Sequence, residues 1–225
     1  MKNLLDFLKL VDEYQSYLIA RGQAFSPDGW PMIDKKCFLD KPPDIIVPFL
    51  KRTDKRLQCY KSIAICSFSK DENIYPRLDN LMKDIEEYKK FAAVVALDLT
   101  VTWDMDKEWQ DVILLVNRLF MAILAINGIK VIINTRIGST MDFSSLQYLP
   151  HMVMCASGFL GCAKAKEYDM TYLAKILFLR PSWLLIYGKC SDIERANLDR
   201  FGIKYIVYID YHKWSKTGGV SHVRY

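Results

Sequence analysis

The sequence has no paired cysteines, no dense charge of either sign and no long unbroken apolar run. Its six cysteines are Cys37, Cys59, Cys66, Cys155, Cys162 and Cys190, and none stands in a C-x-x-C pair. Zinc sites need close ligand pairs, so this spacing argues against zinc and for buried free thiols in a reducing compartment. The only histidines are His151, His212 and His222, none near Cys162, so a nucleophilic Cys162 would need a base brought to it by the fold. No window offers the roughly 18 uncharged apolar residues of a membrane span. The richest, Val112 to Ile126, is interrupted by Asn117 and Arg118. The first residues, Met1 to Val11, set Lys2, Asp6 and Lys9 among leucines, which is no signal peptide. A cytoplasmic protein without a membrane partner is expected. Neither a Walker loop nor G-x-G-x-x-G occurs, and no residue set calls for a cofactor. The net charge of +5 tolerates a nucleic-acid partner without demanding one.

What is present is ordinary globular material: 51% hydrophobic and 25% charged residues, enough for a core that needs neither metal nor disulfide. Residues 1–25 carry Leu4, Leu5, Leu8, Val11 and Tyr14 at helical spacing and predict an amphipathic helix laid against the main body. Residues 26–61 begin with five prolines before residue 49, in Asp28-Gly29-Trp30-Pro31 and Lys41-Pro42-Pro43 among others, and predict an irregular surface wrap anchored by Ile45, Ile46, Val47 and Phe49. From residue 62 to 210 short apolar runs alternate with amphipathic stretches. Strands are expected at Ser62–Phe68, Ala92–Leu99, Lys130–Asn134, His151–Ala156, Ser182–Tyr187 and Lys204–Ile209. Helices are expected at Pro76–Phe91, Lys107–Asn127, Met170–Leu179 and Asp192–Phe201. Residues 211–225 form a basic, aromatic tail.

Six mostly parallel strands alternating with helices define an α/β fold. Because no reversal of strand order is evident, a barrel-like or incomplete βα barrel is favoured over an open doubly wound sheet. In either architecture ligands gather at the carboxyl ends of the strands. Those ends read Ser67 and Ser69; Asp98 and Thr100; Asn134, Thr135 and Arg136; Ser157 and Gly158; Tyr187 and Gly188; Asp210 and His212.

Asp98 closes the run Val94-Val95-Ala96-Leu97, where an unpaired charge is costly. It needs a partner such as Arg118 or Arg136, a metal, or a turn to cap. Asp104 and Asp106 follow and could complete a three-carboxylate magnesium site, although Asp104 also fits an ordinary helix N-cap. Arg118 lies in the apolar face of its helix and should pair with Asp98 or Asp104, with Gln110 supporting the same network. Ser157-Gly158-Phe159-Leu160-Gly161 reads as a strand-to-helix turn whose backbone N–H groups could cradle an anion, with Arg118 and Arg136 as phosphate clamps in an enzyme. The basic cluster Lys51, Arg52, Lys55 and Arg56, with Tyr60 beside it, and the Lys- and Trp-bearing tail suit phosphate backbones and stacked bases; solvated loops are the plainer reading of both.

These features also carry a resemblance. Asp28-Gly29-Trp30-Pro31, Pro48-Phe49, Leu97-Asp98-Leu99-Thr100 with Asp104 and Gln110, Asn117-Arg118, Asn127 to Ile132, Ser157-Gly158-x-x-Gly161 and Pro181 to Gly188 stand in the order and spacing of the DUF4417 family. That is a domain of unknown function found in phages, prophages and other bacterial mobile elements, and the likeness runs over roughly residues 28–190. Leu97 and Thr100 stand where the family pattern has Pro and Ser, and a tryptophan of the pattern is missing near Ile133. The resemblance implies a mobile-element setting in a bacterial host but no reaction. Two functions are expected, the first preferred and the second as its alternative. One is a non-enzymatic accessory protein that binds nucleic acid or a host nucleoprotein complex of defence or replication. The other is an enzyme acting on a phosphorylated or nucleic-acid substrate at the rim around Asp98, where Tyr187 and Thr100 would add contacts.

Overall fold

A computed structural model describes residues 2–102, 104–135, 143–158, 171–217 and 222–224. Eight strands make one sheet in strict chain order: β1 Ile45–Pro48, β2 Ile63–Cys66, β3 Ala93–Val95, β4 Val131–Asn134, β5 Cys155–Gly158, β6 Leu184–Tyr187, β7 Tyr205–Tyr208 and β8 His222–Arg224. The first seven run parallel, and β8 adds antiparallel to β7. A sheet in unbroken sequential order has no point where the strand order reverses, which sets aside the doubly wound alternative.

The sheet curls until its ends nearly meet. The Tyr208 hydroxyl at the end of β7 donates to the Pro43 carbonyl just before β1 (2.6 Å). Past it, helix α7 (Tyr211–Thr217) packs on β1. The result is a nearly closed, barrel-like array with seven parallel strands, not six. The additional strand is β1, which the prolines had disguised. Pro48 ends β1 at the sheet edge, where a missing N–H costs no ladder bond.

Registers put Ala64 and Cys66, Ala93 and Val95, Ile132 and Asn134, Ala156 and Gly158, Leu185 and Tyr187, and Ile206 and Tyr208 on the interior face, given the two-residue alternation of strands. Small residues on β2, β3 and β5 face large ones on β6 and β7, so the interior is filled and is not a pore. Phe68, just beyond β2, stacks on Tyr187 across the sheet with ring centroids 5.7 Å apart.

Helices cover the outside. Helix α4 (Lys107–Ile126) is apolar and long enough to cross a membrane by composition alone, yet 67% of that window is buried in the fold, as in a core helix. Gly128 at φ +79 follows its C-cap Asn127, the left-handed position that glycine adopts without a Cβ penalty. Helix α1 (Leu4–Ile19), begun by an Asn3–Asp6 capping box, packs on α4. It buries Phe7, Leu10, Val11, Tyr14 and Leu18, while Leu4, Leu5 and Leu8 are exposed. The expected face was thus partly the wrong one: the helix carries two apolar stripes, and the partner helix selects between them.

Further boundaries differ from expectation. The helix expected at Pro76–Phe91 is two helices, α2 (Asp71–Asp79) with Pro76 inside it and α3 (Leu81–Tyr88), broken at Asn80. Strand β5 starts at Cys155 instead of His151, because Met152 takes φ +58. Ser157 and Gly158 are therefore strand residues and not a turn. The remaining helices, α5 (Thr171–Leu179) and α6 (Asp192–Arg200), follow the expected bounds closely, and the supposed tail forms α7 and β8.

The closure is held by polar contacts as well as packing. The Tyr211 hydroxyl donates to Asp54 Oδ2 (2.6 Å), and Arg56 holds the same carboxylate while donating to the Ser215 carbonyl (2.7 Å). Arg56 and then Tyr211 keep Asp54 well below the usual carboxylate range. Burial, followed by the bond to Asp54, pushes the Tyr211 phenol up to about 12. The neutral phenol is thus favoured in the fold, so its contribution is present below the ordinary tyrosine value near 10 and is lost as pH rises from there to about 12. Tyr14, Tyr88 and Tyr187 are shifted upward too, so the test is a difference. Urea midpoints measured between pH 8 and about 12 should fall less steeply for Tyr211→Phe than for the parent; parallel curves would remove Tyr211 from the closure.

Candidate functional site

The carboxyl end of the barrel is organised around the residues that follow β3. The last sheet bond here is from the Ala96 N–H to the Ile132 carbonyl (2.9 Å). The next peptide, at fully buried Leu97, has no strand to pair with. Two asparagines take its place. Asn117, on the sheet-facing side of α4, accepts from the Leu97 N–H through Oδ1 (3.0 Å), and Asn134, at the end of β4, donates through Nδ2 to the Leu97 carbonyl (3.1 Å). The same Asn134 amide donates to Asp98 Oδ1 (3.0 Å). Asp98 is thereby held half-buried at the barrel mouth, on a backbone fixed from both sides.

Asp98 is not alone there. Burial pushes the Cys66 thiol up to about 12, and the Asp98 and Asp210 carboxylates add in the same direction. Both acids therefore lie within electrostatic reach of one interior sulfur. Asp210 also caps the start of α7, accepting from the His212 N–H at Oδ1 (2.8 Å). Tyr187, the inward residue at the end of β6, accepts at its hydroxyl from the Tyr211 N–H (2.9 Å). The mouth thus brings together Asp98, Asn134, Tyr187 and Asp210 above Cys66, a set of two carboxylates and neutral hydrogen-bonding groups. Carboxylates fixed in this way can take or give a proton or bind hydroxyl and amino groups.

Several expected participants are placed elsewhere. Arg118 does not pair with Asp98 or Asp104. It is 3% exposed and donates through Nη2 to the backbone carbonyls of Ser145 and Gln147 (2.9 Å for Gln147), while the Trp30 ring lies 5.6 Å from its guanidinium carbon. Gln110 supports the loop before α4, donating to the Met105 carbonyl (2.8 Å), and not an Arg118 network. The Thr100 hydroxyl and N–H both donate to Asp71 Oδ1 (3.0 and 3.2 Å) at the start of α2. Asp104 is exposed, and the N-cap of α4 is Asp106 instead. Among the described residues no three His, Cys, Asp or Glu side chains come together as metal ligands, so the magnesium arrangement does not form there.

The strand placement of Ser157 and Gly158 also changes their meaning. Gly158 faces the interior, where an added Cβ would lie 2.5 Å from the Phe68 ring. Its lack of a side chain makes room for that ring. Alternation sends buried Ser157 to the helix-facing side. Arg136, Gly161 and Cys162 lie outside the described residues.

The basic cluster is largely consumed by the fold. Arg56 is bound to Asp54. Arg52 lies over the Phe49 ring (4.0 Å), donates to the Phe49 carbonyl (3.2 Å) and approaches Glu87 (3.8 Å). Lys51 and Lys55 remain exposed. Elsewhere, a groove of about 370 Å³ runs along the first half of α4, lined by Asp28, Trp30, Val112 and Leu115 among others. Asp28 is fixed there by the Tyr148 hydroxyl (2.6 Å). Sequence reasoning treated Asn117 only as the neighbour of Arg118, and missed Phe68 altogether. An asparagine in an otherwise apolar helix face was the available signal for the first; nothing local marks the second.

No curated protein and no solved structure matches the chain. One family model does, over residues 27–212, which extends the sequence likeness at both ends and takes in α7's first residues. The segments gathered here, from Asp28 and Trp30 through Asp98, Asn117 and Arg118 to Tyr187, all fall inside that match, and the chain belongs to the family described as Domain of unknown function (DUF4417).

Proposed function

We propose that the protein is an enzyme working at the carboxyl-end mouth of its barrel, with Asp98 as the carboxylate that exchanges a proton with, or anchors, a small polar substrate. The observation that carries this reading is the bracketed Leu97 peptide. Two asparagines, each under a tenth exposed, fix the backbone before Asp98, and one of them holds the carboxylate itself. Burying two amides is costly unless they are hydrogen-bonded, and a capping aspartate alone would not need them. Parallel barrels place their chemistry at this end.

The charge of the described mouth favours a substrate bearing hydroxyl or amino groups. A phosphorylated substrate fits less well, since Arg118 is turned to backbone carbonyls and Gly158 is covered by Phe68. The test is a thermal-shift screen of polyols, sugars, amines and nucleosides against the parent and Asp98→Asn. Expected are compounds that stabilise the parent and lose at least about tenfold in affinity on Asp98→Asn, as removal of a charged hydrogen-bond partner does. Equal binding to both proteins would refute the role of Asp98.

A second reading, a phage or mobile-element accessory protein that binds nucleic acid or a host nucleoprotein complex, draws support from exposed Lys51 and Lys55 and the net charge of +5. It differs by needing salt-sensitive binding that Lys51→Glu with Lys55→Glu abolishes and Asp98→Asn leaves intact.

A further inference from the structure

Outside the barrel mouth, between α4 and the helix-facing side of the sheet, lies a recess of about 20 Å³, room for about one water-sized body. Its polar lining includes Asn117, Arg118 and Ser145, and its apolar lining includes Ala96, Leu114 and Ile133. Arg118 is almost wholly buried. Its Nη1 has no hydrogen-bond partner, and no carboxylate among the described residues pairs with it. Burial alone draws the pKa of its guanidinium down, to about 9.

The neighbouring polar groups point the same way. The Leu97 N–H requires Asn117 to present Oδ1 to it, which assigns the Asn117 Nδ2 as a donor left for the recess. Ser145 contributes its carbonyl to Arg118, and its hydroxyl is a further donor. Asn134 also lines the recess, but its Nδ2 is occupied by Leu97 and Asp98. A guanidinium, an amide N–H and a hydroxyl around a one-atom space, with apolar walls and no acid, are complementary to a negative charge. A water molecule would satisfy Nη1 but leave the buried charge uncompensated, which is costly in a low-dielectric setting.

We infer that this recess is a binding site for a small monovalent anion of the chloride class, held by Arg118, Asn117 and Ser145. It shares Asn117 with the bracket before Asp98, but the anion reading does not rest on the chemistry proposed there. An anion that binds only the folded state raises stability in a saturable way. The experiment compares thermal unfolding of the full chain in sodium chloride or bromide with sodium gluconate at equal ionic strength. A saturable upward shift in Tm is expected for the halides only. Arg118→Met should abolish it. Asn117→Asp should do so as well: it keeps the acceptor for the Leu97 N–H but turns the recess donor into a repelling carboxylate, so it serves if Arg118→Met does not fold. Crystals grown in bromide should show one anomalous peak beside Nη1. Equal Tm in halide and gluconate, or a halide shift that survives Asn117→Asp, overturns the site and leaves a water in the recess.

Discussion

Gly158→Ala should destabilise the protein by about 1–3 kcal/mol, the usual cost of forcing a methyl into a packed interior. The added Cβ would sit 2.5 Å from two atoms of the Phe68 ring and 2.8 Å from a third. The ring has little room to move, being 2% exposed and stacked on Tyr187. The partner substitution makes the assignment decisive. Phe68→Ala alone should cost about 3–5 kcal/mol through the lost ring and the cavity it leaves. In that background Gly158→Ala places its methyl in empty space and should cost little or nothing. The double-mutant cycle, read from urea unfolding midpoints, should therefore show strong coupling. A Gly158→Ala protein as stable as its parent would show that the ring does not need the space, and would return Gly158 to the role of a ligand-contacting residue.

The same residue shows where sequence reading stops. Glycine after a short apolar run signals a turn when only local chemistry is considered. Here the demand comes from a ring ninety residues earlier in the chain, about which local spacing is silent. Strand β1 was hidden for a similar reason: Pro42, Pro43 and Pro48 look like a wrap, yet the edge of a sheet accepts them. In contrast, the apolar strands from β2 to β7 were legible because each is buried on both faces, and the glycines that follow α4 and α6, Gly128 and Gly202, do stand at positive φ, where glycine is itself a sign of a helix end. The order of the strand ends was legible for the same reason, and with it the rim holding Asp98, Asn134 and Tyr187. Which polar groups meet on that rim was not. Arg118 and Asp98 are both charges in apolar runs, and pairing them was the economical assumption. The fold instead sends Arg118 to the carbonyls of Ser145 and Gln147 and gives Asp98 to Asn134. Sequence shows that a buried polar group needs a partner, but the chain's return path decides which one arrives.

The asparagine bracket yields the second large effect. Asn117→Leu removes the acceptor of the Leu97 N–H at a residue with no solvent exposure. An unpaired buried donor costs about 1–3 kcal/mol; leucine keeps the branching of the asparagine side chain but is bulkier, so the exchange ratio of the Leu97 and Ala96 amides, and not the total loss, assigns the effect to the bond. Asn134→Leu strands the Leu97 carbonyl and also takes a donor from Asp98, so it should cost at least as much. The two asparagines hold opposite sides of one residue's backbone, and once either is lost that segment relaxes. The double variant should then be less destabilised than the sum of the singles, with a coupling of about 0.5 kcal/mol or more. Hydrogen exchange gives a readout that general weakening does not. In Asn117→Leu the Leu97 amide should exchange much faster relative to the Ala96 amide, which keeps its bond to Ile132. If both amides retained their parent ratio of protection, the bracket would not be what fixes this backbone. Asp98 would then be free to swing, and the case for a positioned carboxylate at the mouth would lose its support.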